Sequence, residues 1–233
     1  IRDEFSKIQI ELSEKQAEQF EQYYEMLIAK NEVMNLTAIT EFEEVVQKHF
    51  IDSVMIKEVR ELGDNEKWID VGTGAGFPGI PLKIVYPQLQ VTLLDSLNKR
   101  VKFLQEVVDA LGLEQVEALH GRAEEYAKKA EYREQYDCCV SRAVANLASL
   151  SEYCLPFVKV GGAFIPYKSG KIQEEIEAAG KAVEILGGWI GQRKEFMLPG
   201  SDMYRCLLYI EKVKATAKKY PRKAGMPTKE PLH

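Results

Sequence analysis

The fold of this chain is decided by residues 68–79, which read WIDVGTGAGFPG. A short apolar run ends in Asp70 and Val71, glycines then occupy every second position, and an apolar pattern with helical spacing follows. This order predicts a strand, a glycine-rich turn and a helix. Because such a turn brings bare backbone N–H groups and a helix N-terminus against a ligand, it indicates a nucleotide-like cofactor at the carboxyl end of a parallel sheet. The turn could also pack helix on strand without a ligand.

The glycine pattern alone does not identify the cofactor. Gly74-x-Gly76-x-x-Gly79 satisfies the dinucleotide pattern, and Asp95 stands about 20 residues further on, where a ribose-binding acid is expected. Two features favour S-adenosylmethionine instead. Asp70 is placed at a strand end where it could hold the ammonium of an amino-acid moiety, which a dinucleotide lacks. Gly121-Arg122-Ala123-Glu124 follows the third apolar run and could contact the edge of an adenine.

Length and composition indicate one substantial hydrophobic core. The chain has 233 residues, 45% of them hydrophobic, and no apolar run approaches the length of a membrane helix. Its four cysteines fit neither metal-ligand spacing nor a disulfide framework. We therefore expect no metal, and three of the cysteines as buried thiols in a reducing compartment. The first residues lack the apolar core of a secretory signal. We expect a cytoplasmic monomer without membrane association.

The patterns along the chain divide it into three parts. Residues 1–62 are expected to form a helical region that packs on the core, residues 63–211 the α/β core that binds the cofactor, and residues 212–233 a basic tail. The expected fold is a Rossmann-like α/β sandwich with an N-terminal helical extension, because strands that alternate with helices form a parallel sheet covered on both faces.

Individual elements follow from local signals. The capping box Ser13-x-x-Gln16 predicts a helix that ends near Lys30, and Thr40-x-x-Glu43 predicts a second helix that carries Val46 and Phe50 on its apolar face. Strands are predicted at residues 68–71, 91–94, 116–119, 137–140 and 163–167, and a terminal antiparallel pair at residues 196–198 and 207–210.

Residues with binding chemistry follow four of the predicted strands. They are the segment 70–79, Asp95, Arg122-Ala123-Glu124 and Ser141-Arg142-Ala143. The carboxyl ends of parallel strands line one crevice, which is the expected ligand position. Asp95 would accept hydrogen bonds from ribose hydroxyls, or would cap the next helix together with Ser96. Arg142 would pair with the cofactor carboxylate or an RNA phosphate, or would form a salt bridge to Asp70 or Glu124.

Three further features allow a functional and a structural interpretation. Lys168 follows the fifth strand and either faces a substrate or is a solvated loop lysine. His49 and Asp52 stand three residues apart on one helix face and form a functional pair or a half-buried structural one. The segment 212–229 has seven basic residues and no acid in a chain of net charge −5. It favours phosphate contacts, or is a solvated, frayed terminus, and its prolines predict an extended tail.

These residues resemble one family closely. Over almost its whole length the chain is similar to the bacterial small-subunit rRNA guanine-N7 methyltransferases, the RsmG (formerly GidB) family, in its Gram-positive form. The shared motifs are Asn35-Leu36-Thr37, His49-x-x-Asp52-Ser53, the segment 70–81, Leu94-Asp95-Ser96-Leu97-Asn98-Lys99-Arg100, Arg122-Ala123-Glu124, Ser141-Arg142-Ala143 and Tyr220-Pro221-Arg222-Lys223-x-Gly225-x-Pro227. Relatives vary around Lys168.

The resemblance implies a class I methyltransferase fold that uses S-adenosylmethionine, with S-adenosylhomocysteine as product. The implied target is guanine N7 at position 527, in the 530 loop of 16S rRNA, in the 30S subunit or an assembly intermediate. The family pattern carries over cofactor contacts at Gly72, Phe77, Ala123, Glu124 and Arg142. The glycine turn and strand ends add Asp70, Thr73, Gly74, Gly76 and Asp95. Substrate positioning is expected from Arg122, Arg142 and Lys168, and RNA contacts from His49, Lys218, Lys219, Arg222 and Lys223.

The expected mechanism needs no general base. Guanine N7 carries an in-plane lone pair and no proton, so we expect direct in-line transfer with N7 held about 3 Å from the methyl carbon. A dinucleotide-dependent oxidoreductase is the first alternative, but it needs a second catalytic domain, and only a basic tail follows Ile210. A non-enzymatic RNA-binding protein with a vestigial cofactor site is the second. A small-molecule methyltransferase is the third, and the cationic tail disfavours it.

Overall fold

The centre of the fold is a mixed β-sheet. In the computed structural model, which describes residues 1–142, 145–170 and 172–233, seven strands form this sheet. They are β1 Lys67–Val71, β2 Gln90–Asp95, β3 Val116–His120, β4 Tyr136–Ser141, β5 Val158–Lys168, β6 Gly188–Met197 and β7 Tyr204–Lys212. Their order is β3-β2-β1-β4-β5-β7-β6; β1 to β5 are parallel, and β7 is antiparallel to both of its neighbours. Strands β2 and β3 lie on one side of β1, and β4 and β5 lie on the other. The strand order therefore changes direction between β1 and β4, and parallel sheets bind ligands at such a point.

Helices cover both faces of the sheet. They are α1 Arg2–Lys7, α2 Glu14–Met34, α3 Phe42–Val45, α4 Asp52–Val54, α5 Gly79–Val85, α6 Asn98–Ala110, α7 Ala123–Tyr126, α8 Leu147–Cys154, α9 Gln173–Ile185 and α10 Met226–Lys229. Neighbouring residues of β1 face opposite sides: Trp68 packs with the cluster of α1, α2, α5 and α6, and Ile69 with that of α8 and α9. The predicted α/β sandwich is thereby confirmed. None of the helices in the described ranges is long and apolar enough to cross a membrane.

The N-terminal helical region packs against α5 and α6 and against the glycine turn. Helix α2 begins as predicted, since Ser13 Oγ accepts from Gln16 N at 3.2 Å and Gln16 Oε1 accepts from Ser13 N at 2.9 Å. It continues to Met34, beyond the predicted end near Lys30. Tyr23 on this helix is fully buried, and its hydroxyl donates to Ala75 O in the glycine turn at 2.6 Å. The N-terminal helical region therefore supports the glycine turn on its buried side.

The predicted second helix is wrong in its cap and in its regularity. Helix α3 starts after Glu41 without a side-chain cap, while the carbonyl of Thr40 accepts from Tyr24 Oη at 2.9 Å. A π-helical turn, Val46–Ile51, then separates α3 from α4, and a 3₁₀ turn, Met55–Glu58, follows. A π turn places an extra residue in the helix and is frequent at functional sites. Here it carries His49, a residue of the candidate site.

The antiparallel edge is longer than predicted. The expected antiparallel pair is present, but Phe196 and Met197 pair with Arg205 and Tyr204 rather than with residues 207–210. Strand β6 already begins at Gly188, and β5 begins at Val158. The register of β6 against β7 shifts between Ile190 and Arg193. This irregularity interrupts the alternation of apolar and polar residues by which a strand is recognised in sequence, so the first half of β6 was not predicted. Trp189 on this edge is 59% exposed.

The basic segment after β7 packs on the body of the protein. Lys212 is the last residue of β7 and is fully buried, with Nζ donating to Leu155 O and Val158 O at 2.7 and 2.9 Å. Residues 226–229 form the short helix α10, so the extended, non-helical tail that the prolines predict is wrong there. Pro227 lies in the first turn of that helix, where a missing N–H is tolerated.

All four cysteines, Cys138, Cys139, Cys154 and Cys206, are free and buried. The predicted buried thiols are thus confirmed, and the fourth shares their environment.

Candidate active site

The glycine turn lies along the carboxyl ends of β1 and β2. Gly72 N–H donates to Leu94 O at 2.9 Å, and Gly74 N–H donates to Asp95 Oδ2 at 2.9 Å. The φ angles of Gly72, Gly74 and Gly76 are +73°, +64° and +108°, in the left-handed region that favours glycine. The spacing of glycines in the sequence is therefore a requirement of this backbone path.

Asp70 lies beneath the turn and has one carboxylate oxygen without a partner. Its Oδ2 accepts from Thr73 Oγ1 at 2.7 Å and from Gly79 N at 2.8 Å. Its Oδ1 has no hydrogen-bond partner within the part of the chain that the structure describes, and the residue is fully buried. Burial raises the pKa of this carboxyl to about 7. The contact with a cofactor ammonium stays a prediction, because Asp70 does not line either of the larger cavities at the sheet edge.

Asp95 has internal partners for both oxygens. Oδ1 accepts from Leu97 N at 2.9 Å, and Oδ2 accepts from the glycine turn. Helix α6 starts after Leu97 without a side-chain cap, so the prediction that Ser96 caps it is wrong; Asp95 binds the free backbone N–H instead. A carboxylate accepts about four hydrogen bonds, and the ribose contact stays a prediction for the remaining positions.

A cavity of about 230 Å³ lies beside the turn. We call it the turn cavity. Residues from two of the segments predicted to bind cofactor or substrate line it, namely Gly72 from the glycine turn and Arg122, Ala123 and Glu124 from the third strand end; Ser96 lines it as well. Helix α8 contributes Leu150 and Tyr153 to its wall. Of the other predicted cofactor residues, Asp70 and Asp95 lie behind this wall and hold the turn.

A second cavity, of about 710 Å³, adjoins the first at Ala145, which lines both. We call it the basic cavity. Its charged and titratable lining residues are Lys48, His49, Asp52, Arg142, Tyr167, Lys168, Glu175 and Arg205. The structure thus separates the predicted residues into two neighbouring groups, with Arg122 in the turn cavity and Arg142 and Lys168 in the basic one.

Arg142 leaves β4 and binds Asp52. Its Nη1 lies 3.1 Å from Asp52 Oδ2, and its guanidinium carbon lies 5.0 Å from the centre of the Phe77 ring. The predicted salt-bridge alternative with Asp70 or Glu124 is wrong. The π turn that carries His49 brings Asp52, which is 2% exposed, under Arg142. Ala143, the third residue of the predicted segment, lies outside the described residues.

His49 is held as a neutral ring. Its imidazole stacks on Phe77, with centroids 4.5 Å apart and planes 17° apart. Nδ1 lies 3.1 Å from Arg142 Nη2, and Nε2 lies 2.8 Å from Thr37 Oγ1. A guanidinium only donates, so Nδ1 accepts and the proton resides on Nε2, which donates to Thr37. Burial and the charge of Arg142 lower the pKa of His49 to about 3.

Sequence analysis missed Arg205. Its Nε donates to Asp52 Oδ1 at 2.8 Å, so Asp52 is shared between Arg205 and Arg142. Arg205 lies near the start of β7, which is antiparallel to β5. The start of an antiparallel strand lies at the same sheet edge as the ends of its parallel neighbours. Arg205 directly precedes the apolar run of the last predicted strand. This rule would therefore have placed Arg205 at the candidate site from sequence alone.

Lys168 is not a solvated loop lysine. It is the last residue of β5 and is 9% exposed, and its Nζ donates to Ala145 O at 2.6 Å and to Glu175 Oε1 at 2.5 Å. Ala145 lines both cavities, so Lys168 holds the backbone at their junction.

The predicted RNA-binding residues fall into two groups. Lys218, Lys219 and Lys223 are exposed. Arg222 binds Glu152, which is fully buried, through Nε at 3.0 Å and Nη2 at 2.7 Å. Its charge is committed to an internal ion pair, so the structure gives Arg222 a structural role in place of the free cation that the tail composition indicates.

Comparison with known proteins identifies the family. The model of the family described as rRNA small subunit methyltransferase G matches residues 16–196. The chain belongs to this family. The ribosomal RNA small subunit methyltransferase G of Lachnoclostridium phytofermentans is 56% identical over 96% of this chain and 92% of that protein. The protein of the same name from Alkaliphilus metalliredigens is 52% identical over 100% of this chain and 97% of that protein.

Solved structures share the fold at low sequence identity. A SAM-dependent methyltransferase from Aquifex aeolicus superposes with a TM-score of 0.53 and 21% identity, over 72% of this chain and 92% of that one. M. jannaschii TYW2 in complex with AdoMet gives a TM-score of 0.57 and 15% identity, over 76% and 80% of the two chains. The expected family, the Rossmann-like class and the assignment as a methyltransferase enzyme are confirmed.

Proposed function

We propose that this protein transfers a methyl group from S-adenosylmethionine to guanine N7 at position 527, in the 530 loop of 16S rRNA. The observation that carries the proposal is the meeting of the turn cavity and the basic cavity at Ala145. The family to which the chain belongs supports an rRNA substrate. We further propose that the enzyme acts in the cytoplasm, as a monomer, on the 30S subunit, its 16S rRNA or an assembly intermediate.

The sizes of the two cavities support transfer between them. The turn cavity measures about 230 Å³, below the roughly 300 Å³ at which typical ligand pockets begin. A cofactor whose adenine lies beside Gly72 and Ala123 would therefore extend past Ala145. The basic cavity on the other side, with about 710 Å³, has room for a nucleotide. A guanosine in a loop can enter it, whereas a base paired in an A-form helix is hard to reach.

The residues of the basic cavity fit a reaction without a general base. When bound, S-adenosylmethionine supplies a methyl group on a positively charged sulfur. The bond from sulfur to carbon breaks as the bond from N7 to carbon forms, and N7 has no proton to lose. His49 is suited to such a site, because its pKa of about 3 makes the imidazole a poor base. Both of its ring nitrogens are already engaged, by Arg142 and Thr37.

The charges in the basic cavity fit a base that becomes positive. Guanine gains positive charge as the methyl group arrives, and an unpaired cation beside the ring would oppose this. Lys168 is paired with Glu175, and Arg142 shares Asp52 with Arg205, so part of the positive charge is offset within the cavity. We infer that Arg142 and Lys168, with Arg122 at the turn cavity, position RNA phosphates or guanine O6. The exposed lysines at 218, 219 and 223 would bind RNA phosphates outside the site.

The test uses tritiated S-adenosylmethionine and 30S subunits from a strain that lacks this activity. Borohydride–aniline cleavage then maps any label to its nucleotide. We expect label at one guanosine N7 in the 530 loop. Arg142→Gln should lower the transfer rate at least about 10-fold, because it removes a charge that positions substrate. Lys181→Gln, an exposed lysine on α9, is the matched control and should leave the rate unchanged.

Two results would contradict the proposal. The absence of label on 30S subunits and on free 16S rRNA, with the cofactor still bound, would refute the substrate. Binding of NADH without binding of S-adenosylmethionine would restore the oxidoreductase alternative.

A further inference from the structure

Residues 220–230 pack against the wall of the turn cavity. They lie beyond residues 16–196, the segment matched by the family model. Their main support is helix α8, which presents Leu150 and Tyr153 to the cavity and Ser149 and Glu152 to the tail. The same helix thus joins the tail to the candidate cofactor site.

The tail binds the polar ends of two cavity residues. Gly225 N–H donates to Glu124 Oε1 at 2.8 Å, and Glu124 is 5% exposed. The hydroxyls of Tyr153 and Thr228 lie 2.6 Å apart. Glu124 and Tyr153 both line the turn cavity. The tail therefore fixes the side chains that a ligand in this cavity would meet.

The tail itself is anchored by buried groups. Arg222 pairs with Glu152, and its Nη2 also donates to Glu230 O at 2.6 Å. Ser149 Oγ donates to Pro227 O at 2.7 Å. Breaking a buried ion pair leaves an uncompensated charge, so this anchor is costly to release. Arg222 binds Glu152 and also the carbonyl of Glu230, so the segment from Arg222 to Glu230 is held at the cavity wall.

We propose that residues 220–230 are a positioning element of the cofactor site, which holds Glu124 and Tyr153 for contact with the adenosyl part of S-adenosylmethionine. The inference rests on the proposed function. It differs from a role in RNA binding, because the contacts concerned are made within the protein, at the cavity wall. The exposed lysines of the tail take no part in them. Loss of the tail contacts frees the two side chains, and the ligand must then order them again on binding.

Full-length point variants test the inference. Thr228→Val removes the hydroxyl bound to Tyr153 and keeps the shape, and Thr228→Ser restores the hydroxyl. Arg222→Gln weakens the anchor. Lys229→Gln changes only a charge on the same short helix. The measurements are the Kd for S-adenosylhomocysteine by calorimetry without RNA, the KM for S-adenosylmethionine, kcat on 30S subunits, and the melting temperature.

We expect Thr228→Val to weaken S-adenosylhomocysteine binding about 3- to 10-fold, the effect of one lost hydrogen bond. Arg222→Gln should weaken it at least as much. The KM for the cofactor should rise in proportion, with kcat at saturating cofactor within about twofold of wild type. Thr228→Ser and Lys229→Gln should bind like wild type.

Unchanged cofactor affinity in folded Thr228→Val and Arg222→Gln would overturn the inference while leaving the proposed function intact. If Arg222→Gln does not fold, Thr228→Val decides alone. A loss confined to kcat, or to RNA affinity, would also overturn it. Wild-type protein that binds no S-adenosylhomocysteine would instead refute the proposed function, and the inference with it.

Discussion

At the scale of single residues, the site depends on acids that serve different purposes. Asp95 has a donor for each oxygen and holds the turn, whereas Asp70 has a buried oxygen without a partner in the described ranges. Asp52 binds two arginines, so each of its oxygens has a cationic partner. Asp70 is therefore the acid with an unsatisfied buried oxygen, and its contact with a cationic ligand stays a prediction.

The titration of Asp70 gives a prediction for unliganded protein. Its pKa rises from 3.8 to about 7 on folding. The folded state thus binds this proton more tightly, and the free energy of unfolding falls as pH rises between these values, by up to about 1.4 kcal/mol per pH unit. In Asp70→Asn, which has no carboxyl at this position, the free energy of unfolding should not fall with pH for this reason. In urea titrations from pH 4.5 to 8, the variant should gain stability relative to wild type as pH rises.

Asp64→Asn, which changes an exposed loop carboxyl, is the control for this series. A stability difference between Asp70→Asn and wild type that does not vary with pH would contradict the assignment. Since Asp70 is also the expected partner of the cofactor ammonium, the same variant should bind S-adenosylmethionine more weakly.

At the scale of elements, the turn between β1 and α5 is fixed by close packing. A Cβ on Gly79 would lie 2.4 Å from Leu93 Cδ2 and 2.9 Å from Asp70 Oδ2. We expect Gly79→Ala to lower the free energy of unfolding by about 1–3 kcal/mol, because the core must shift to admit the methyl group. Chemical denaturation of the purified variant measures this.

Gly180 supplies the matched control. It lies in α9, and an added Cβ would meet nothing within 4 Å. Gly180→Ala should raise stability by about 0.5–1 kcal/mol, since alanine is the better helix former. Equal effects at both glycines would contradict the packing argument.

The parallel strands could be predicted from sequence, and the irregular elements could not. Strands buried on both faces, such as β1, β2 and β4, leave short continuous apolar runs, and the capping box of α2 is a local signal. The π turn has no local sequence signal, and His49 on it stacks on Phe77, a contact between distant parts of the chain. Strand β6 depends on pairing with β7 across an irregular register.

The site shows the same division. The glycine turn, Asp70 and the segment from Arg122 to Glu124 carry local patterns, and sequence analysis assigned them to the crevice. The partner of Arg142 could not be assigned, because Asp52 reaches it through the π turn. The seven basic residues of the tail predicted a charged surface, but composition does not show that Arg222 and Lys212 face inward to Glu152 and Glu134.

At the scale of the whole molecule, the exposed tail cations contrast with a chain of net charge −5. Replacing the exposed lysines at 218, 219 and 223 with serine should weaken RNA binding and reduce the slope of log K against log salt by about 2, for three phosphate contacts. Filter binding to 16S rRNA between 50 and 200 mM salt, the range typical for such slopes, measures this. The Kd for S-adenosylhomocysteine should not change.

Three exposed lysines elsewhere, Lys15, Lys102 and Lys181, form the control set of equal charge. If both triple variants have the same salt slope, the tail lysines do not bind RNA preferentially.

The burial of all four native thiols makes the chain suited to site-selective labelling. Burial raises the pKa of Cys138 to about 12 and that of Cys206 to about 11, and reagents such as maleimides react with an accessible thiolate. A cysteine introduced at the exposed position of Lys229 therefore takes up a dye while the native thiols of the folded chain stay unmodified. Fluorescence from that dye can then follow the C-terminal segment during catalysis, without a cysteine-free background.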